Sequence, residues 1–158
     1  MTFTVNASGT YEMDAGAFHA LSSSKDIGRN SSSQRFDNVF CVSVTESSDR
    51  NEKNTIVASD LGLDFVNKLK PVSYKFNDGE SDRTHYGMIA QDIETLISEI
   101  GKTTKDFAGF VKTTHTDDGK GNSITPFDCY GLRYNEFIAP MIKAIQELSA
   151  KVSALEAS

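Results

Sequence analysis

The segment from Ser47 to Lys53 holds residues whose types and spacing could do covalent chemistry. It reads Ser-Ser-Asp-Arg-Asn-Glu-Lys, so two hydroxyls lie close to two carboxylates and two cations. A serine hydroxyl is a poor nucleophile at neutral pH and needs a neighbouring group that accepts its proton during attack. Taken alone, however, Ser48 followed by Asp49 is typical of an ordinary turn or helix cap. The segment is therefore a candidate active site whose assignment depends on its surroundings.

The sequence carries none of the common motifs for nucleophilic catalysis, phosphate binding or metal binding. None of the three histidines has a Ser or Cys partner at a recognised spacing. Gly119-Lys120-Gly121 lacks the glycine spacing and the following Ser or Thr of a phosphate loop, and the carboxylates of Asp117 and Asp118 suit a solvated turn. Cys41 and Cys129 are isolated, with no His at metal-finger distance. We predict no metal site and no cofactor.

Charge and composition exclude further classes of function. The formal net charge is −6 over 158 residues, and the Lys and Arg residues are scattered, which argues against a nucleic-acid or anionic-membrane surface. No apolar run approaches the roughly 20 residues that span a bilayer, and no leader-like pattern follows Met1. We expect a soluble chain with one main domain and an appendage, without nucleic-acid partner or membrane insertion.

Residues 1–47 differ in composition from the rest of the chain. They are rich in Ser, Gly, Asn and Asp, with short alternating apolar stretches such as residues 3–5 and 40–44. This composition is typical of strands and turns, but it provides too few apolar residues for a separate core. We predict a β-rich segment that packs against something else.

A helix is predicted shortly after residue 47. Ser59 and Asp60 can cap its first turn, apolar residues recur at near-helical spacing over residues 61–69, and Pro71 ends it.

A hairpin and a second helix are predicted next. Residues 72–76 alternate as in a strand, residues 77–79 form a turn, and residues 85–89 supply the partner strand. An amphipathic stripe over residues 93–100 then predicts a helix, which Gly101 ends.

A second hairpin completes the expected fold class. Residues 110–111 and 124–127 flank a polar, turn-forming stretch at residues 117–122. Small antiparallel hairpins together with helices indicate an α+β domain.

The C-terminal stretch carries an a/d heptad seam that favours a coiled coil over about residues 135–158. Its members are Ile138, Met141, Ile145, Leu148, Val152 and Leu155. The alternative is a helix that packs this stripe on its own domain. The residue types are compatible with dimers as well as trimers. Pro140 is expected to bend the helix or to mark its start.

In this context, the segment after Ser47 resembles the intramolecular chaperone auto-processing domain, the C-terminal domain of phage endosialidases, tailspikes, tail fibres and neck appendages. In that family a Ser-Asp pair opens the domain, a Lys follows five residues after the Ser, and an Ile comes later. The matching residues here are Ser48, Asp49, Lys53 and Ile56. Glu52 departs from the pattern, because relatives usually carry an apolar residue before the Lys.

Further blocks carry the resemblance over about 110 residues. Residues 69–76 are similar to the family's first helix-to-strand block, residues 85–92 to its H-x-G-x-I-A-Q segment, and residues 130–134 to its lead into the final helix. Residues 35–40 resemble the strand motif that often closes the passenger. The resemblance divides the chain into the end of a passenger, 1–47, and a chaperone domain, 48–158.

The resemblance implies an autocatalytic, single-turnover serine endopeptidase. Ser48 would attack the carbonyl of Ser47 and so cleave the Ser47-Ser48 bond, with Lys53 as the general base. Lys53 must be neutral for this step, which desolvation or nearby positive charge such as Arg50 favours. His85 and Gln91 are secondary candidates that either order the cleavage loop, contact the passenger, or only support the strand-helix corner.

The resemblance also implies the biological setting. The chain would form a homotrimer that guides folding of its own N-terminal passenger, a tail component of the virion assembled in the bacterial host cytoplasm, and the chaperone domain would be released after cleavage. Two other interpretations stay open: a non-cleaving trimerisation and receptor-binding tip, in which Ser48 merely caps a turn, and a coiled-coil adaptor with no phage role.

Overall fold

The computed structural model describes residues 11–13, 18–20, 39–77, 82–117 and 122–158. The chain divides into two compact units, Met1–Val39 and Phe40–Ser158. In the first unit, strand β1 (Tyr11–Met13) pairs antiparallel with strand β2 (Phe18–Ala20). The apolar stretch at residues 40–44, for which a strand was expected, is exposed and forms no strand. The strand predicted at residues 3–5 and most of the motif at residues 35–40 lie outside the described residues.

The first helix of the second unit, α1, spans Leu63–Lys68. The expected cap at Ser59 and Asp60 is wrong. The Ser59 hydroxyl donates to the carbonyl of Leu61, and Asp60 forms an ion pair with Lys102. The helix starts later because its first turn receives a carboxylate from the C-terminal helix, as described below.

The predicted first hairpin is confirmed. Strand β3 (Val72–Tyr74) pairs antiparallel with strand β4 (His85–Gly87), and the predicted turn at residues 77–79 falls mostly outside the described residues. Helix α2 (Ala90–Glu99) follows directly.

Gly101 ends α2 as predicted. It adopts a φ of 74°, the left-handed conformation that favours glycine. The amides of Gly101 and Lys102 bond to the carbonyls of Ser98 and Ile97, which is the hydrogen-bond pattern of a Schellman cap.

The second hairpin is longer than predicted. Strand β5 (Phe110–Asp117) pairs antiparallel with strand β6 (Ser123–Leu132), with a register shift between His115 and Asp117. Residues 118–121 of the predicted turn lie outside the described part of the chain.

The C-terminal helix α3 spans Ile138–Glu156 and follows a single 3-10 turn at Tyr134–Phe137. Pro140 lies in the first turn of α3, where backbone N–H groups have no partner within the helix, so it marks the start of the helix. Pro140 and Ala144 are buried, and α3 packs against α1 on the side of the helix that carries them.

An apolar core joins the helices to the base of the second hairpin. Its buried members are Leu61, Phe65, Ile93, Leu96, Ile97, Phe107, Phe110 and Phe137. The Phe107 ring lies 5.0 Å from the Phe137 ring and 5.5 Å from the Phe65 ring, both in edge-to-face contact. The observed architecture is mixed helix and small antiparallel sheets, which confirms the α+β class. Among the described residues, no helix is long and apolar enough to cross a membrane.

Candidate functional site

The segment that holds Ser48 is shaped by one 3-10 turn, Arg50–Glu52. Asp49 caps this turn, because its carboxylate accepts a hydrogen bond from the amide of Asn51 at 2.8 Å. The amide of Lys53 donates to the carbonyl of Arg50 and closes the turn. The turn reverses the chain so that side chains five residues apart come together.

Ser48 and Lys53 are in hydrogen-bond contact. The amine Nζ of Lys53 donates to the hydroxyl Oγ of Ser48 over 2.8 Å. The family resemblance predicted this pair, and the cap by Asp49 accounts for the local geometry. At this distance a neutral amine could instead accept the serine proton, which is the geometric requirement for general-base catalysis.

Ser47 and Glu52 form a second pair that sequence reasoning missed. The hydroxyl of Ser47 donates to the carboxylate of Glu52, again across five residues. The signal was present in the sequence, since Glu52 precedes Lys53 just as Ser47 precedes Ser48. The two serines on either side of the candidate scissile bond thus have different partners.

The site segment is attached to the C-terminal helix region at both of its ends. On the N-terminal side, the side-chain amide of Asn135 donates to the carboxylate of Glu46. On the C-terminal side, the backbone amide of Leu63 donates to Glu147 of α3 over 2.8 Å. Between these anchors the segment is open, and every residue from 39 to 60 is exposed in the single chain.

Of the supporting candidates, Asp49 caps the turn of the site, whereas His85, Gln91 and Arg50 do not contact the side chains of Ser48 and Lys53. His85 packs against the rings of Tyr74 and Phe76, with ring-centre distances of 5.6 and 4.9 Å. Gln91 is exposed in the first turn of α2, and Arg50 is exposed in the 3-10 turn. In the described part of the chain, no hydrogen bond or ion pair links these three residues to the Ser48 and Lys53 side chains.

A close contact explains the glycine of the H-x-G block. The amide of Met88 donates to the hydroxyl of Tyr134 at 3.0 Å. A Cβ atom at Gly87 would lie 2.4 Å from that hydroxyl oxygen, far inside van der Waals contact. Gly87 therefore lets the strand β4 approach the turn that leads into α3.

The apolar stripe of α3 is largely exposed in the single chain. All six seam residues are more than one-third exposed, and Ile145 is 66% exposed and Leu155 74% exposed. The alternative that this stripe packs on its own domain is therefore wrong, because α1 occupies the face that carries Pro140 and Ala144.

An apolar groove adjoins the stripe. It has a volume of about 610 Å³ and includes Met141, which belongs to the seam. Its other apolar walls come from α1, the first hairpin and the turn before α3, among them Val66, Met88 and Phe137. The exposed apolar surface thus extends beyond the helix itself.

Comparison with known proteins gives the site a context. Residues 48–102 match the family described as chaperone of endosialidase, so the match begins at Ser48 itself. A solved structure described as a novel intramolecular chaperone is 28% identical over 70% of this chain and 100% of that chain, with a TM-score of 0.44. No curated protein matches the chain.

The fold is also found in a phage protein. The carboxy-terminal domain of the bacteriophage T5 L-shaped tail fibre with its intramolecular chaperone domain has a TM-score of 0.64 at 18% identity over 90% of this chain. The present chain spans 38% of the length of that structure. The family match covers residues 48–102, so this part of the chain is similar to the chaperone of endosialidase family.

Proposed function

We propose that this chain is a self-cleaving intramolecular chaperone. It associates as a homotrimer, guides the folding of an attached phage tail fibre or tailspike, and then cuts the Ser47-Ser48 bond to release itself. The observation that carries the proposal is the 2.8 Å contact between the amine of Lys53 and the hydroxyl of Ser48. The family match that begins at Ser48 supports the same bond as the boundary.

The chemistry is an acyl shift followed by hydrolysis. The Oγ of Ser48 attacks the carbonyl carbon of Ser47 while its proton passes to neutral Lys53. The C–N bond breaks, the nitrogen of Ser48 takes up the proton, and an ester joins the two residues. Water then cleaves the ester, leaving a carboxylate on Ser47 and a hydroxyl on Ser48. Backbone N–H groups directed at the developing oxyanion would lower the barrier.

Assembly would supply what the single chain lacks. Exposure to water favours the charged form of an amine, which cannot accept a proton, and desolvation or a nearby cation favours the neutral form. The site segment is exposed but attached to α3 and its preceding turn through Glu147 and Asn135. We propose that association of the chains covers this exposed segment, so that cutting follows assembly.

The exposed stripe of α3 and the adjoining groove support association of chains. Each exposed apolar side chain that becomes buried contributes favourable free energy. Holding three C-termini together raises the effective concentration of the attached passengers and sets their register. This matters for an intertwined β-rich passenger, because contacts between chains form slowly and mispair easily.

Release after folding would make the product persistent. Once the passenger has folded, removal of the chaperone domain raises the barrier to unfolding and leaves the product kinetically trapped. The passenger would then remain as a tail component of the virion, assembled in the host cytoplasm.

The intact mass of freshly expressed chain tests the proposal. We expect two pieces, one ending at Ser47 and one beginning at Ser48, and a single uncut mass for Ser48→Ala. Ser47→Ala is the matched control, because it removes the same hydroxyl one residue away and should still allow cutting. A wild-type chain that stays whole in its assembled state would instead favour the non-cleaving receptor-binding tip.

A further inference from the structure

Two neighbouring serines lie at the proposed cleavage site. Ser47 and Ser48 carry the same hydroxyl, and Lys53 follows them by six and five residues, directly after the turn. The structure nevertheless gives them separate partners: Ser48 contacts the amine of Lys53, and Ser47 donates to the carboxylate of Glu52. One 3-10 turn therefore presents a cation to one serine and an anion to the other.

We propose that Glu52 is a specificity-determining residue that selects Ser48 as the nucleophile. Its carboxylate holds the Ser47 hydroxyl, so that Lys53 activates Ser48 alone. This inference rests on the self-cleavage proposed above and adds to it a residue that decides which bond is cut.

Attack by Ser47 would also be a balanced cleavage reaction, so the chain needs a feature that favours attack by Ser48. If Ser47 attacked, its Oγ would bond to the carbonyl carbon of Glu46 and its proton would pass to Lys53. The bond between that carbon and the nitrogen of Ser47 would break, and the nitrogen would take up the proton. Water would then hydrolyse the ester, and the released piece would begin at Ser47, one residue too early.

The hydrogen bond to Glu52 blocks this route for a simple reason. A hydroxyl has one proton to donate, so a hydroxyl that donates to a carboxylate cannot donate to the amine at the same time. Bonds to an ionised acceptor are also stronger than bonds between neutral groups. Ser48 has no carboxylate partner among the described residues, and its contact is with Lys53.

Two substitutions of Glu52 with similar size distinguish its proposed hold on the Ser47 hydroxyl from a general effect on the turn. Glu52→Gln keeps an oxygen that accepts the Ser47 hydroxyl, whereas Glu52→Met keeps the chain length but offers only a weakly accepting sulfur. In full-length chains, mass spectrometry of the products should find only the Ser48 N-terminus for wild type and Glu52→Gln. Glu52→Met should add products that begin at Ser47, and the ratio of Ser47 to Ser48 products should rise about tenfold.

The Ser48→Ala background gives the sharper measurement. There Ser47 is the remaining serine at the junction, so Ser48→Ala alone should stay whole, and adding Glu52→Met should restore slow cutting before Ser47. Adding Glu52→Gln instead should leave the chain whole. If wild type is cut but Glu52→Met yields only the Ser48 product and the double variant stays whole, the role of Glu52 is wrong while self-cleavage stands. A wild-type chain that is never cut overturns both.

Discussion

Glu147 of the last helix caps the first helix of its unit, because its carboxylate accepts the backbone amide of Leu63 at 2.8 Å. The two residues are 84 positions apart in sequence. Glu147 also lies 3.6 Å from Lys143, one turn earlier on α3. The helix that carries the exposed association stripe is thereby tied to the start of α1 and to the segment that precedes it.

This contact predicts a pH dependence of stability. The hydrogen bond from Leu63, followed by the nearby Lys143 and Lys151 charges, lowers the pKa of Glu147 below its ordinary value of 4.5. A carboxyl with a lowered pKa in the folded state stabilises the fold above its unfolded pKa, and this stability is lost as the pH falls through the folded value. At pH 7, Glu147→Gln should therefore unfold at a lower temperature than wild type.

The difference between the two proteins should shrink as the pH is taken below 4.5, where the wild-type carboxyl becomes protonated. Glutamine is the suitable substitution because it keeps the length and an acceptor oxygen but not the charge. A difference that stays constant from pH 7 to pH 3 would show that the charge of Glu147 does not contribute.

The rate of self-cutting should depend on an amine at position 53. Lys53→Ala should slow self-cutting by at least about 100-fold, because general-base assistance is lost. Lys53→Arg should fail too, since a guanidinium stays protonated and cannot accept the serine proton. The fraction cut with time is read by gel or mass spectrometry, and sedimentation should show unchanged assembly in both variants. Normal cutting by the Arg variant would make Lys53 an electrostatic or structural residue.

Association should depend on the stripe of α3. Ile145→Asp places a charge where neighbouring chains would bury it, at a cost of about 3 to 5 kcal/mol per trimer. Because Ile145 is 66% exposed in the single chain, the fold of one chain should survive while sedimentation shifts towards monomer. Gln146→Asp is the matched control, since that exposed neighbour lies off the seam. A trimer that persists in Ile145→Asp would exclude the seam as the basis of assembly.

Assembly and cutting should be linked. If neighbouring chains complete the site, Ile145→Asp should also lose self-cutting although Ser48 and Lys53 are intact. Full cutting by a monomeric variant would show that one chain suffices. Time courses at several protein concentrations provide a second measurement, because cutting that requires assembly slows on dilution.

Gly87 should tolerate no side chain while Tyr134 keeps its hydroxyl. Gly87→Ala places a Cβ atom 2.4 Å from that oxygen and should cost about 1 to 3 kcal/mol in unfolding free energy. Tyr134→Phe removes the hydroxyl. The double variant should therefore lose less unfolding free energy than the two single variants lose in sum. Strict additivity in denaturant unfolding would mean that this contact is not what requires glycine.

Features set by neighbouring residues could be predicted from sequence. The positive φ of Gly101 follows from a short-range cap in which glycine carries no steric penalty. The pairing of residues 72–74 with residues 85–87 follows from alternation on both sides of a turn. The contact between Ser48 and Lys53 needs only one capped turn, so the family resemblance of this short segment was sufficient to predict it.

Features set by distant residues were decided by the tertiary structure alone. Ser59 and Asp60 have the residue types of a helix cap, yet Glu147 provides the cap, because only packing of α3 on α1 brings that carboxylate to Leu63. Contact between Met88 and Tyr134 spans 46 positions and likewise has no local signature. The heptad pattern identified an apolar stripe, but which face of α3 stays exposed depends on where α1 docks, and that is a property of the packed core rather than of the helix sequence.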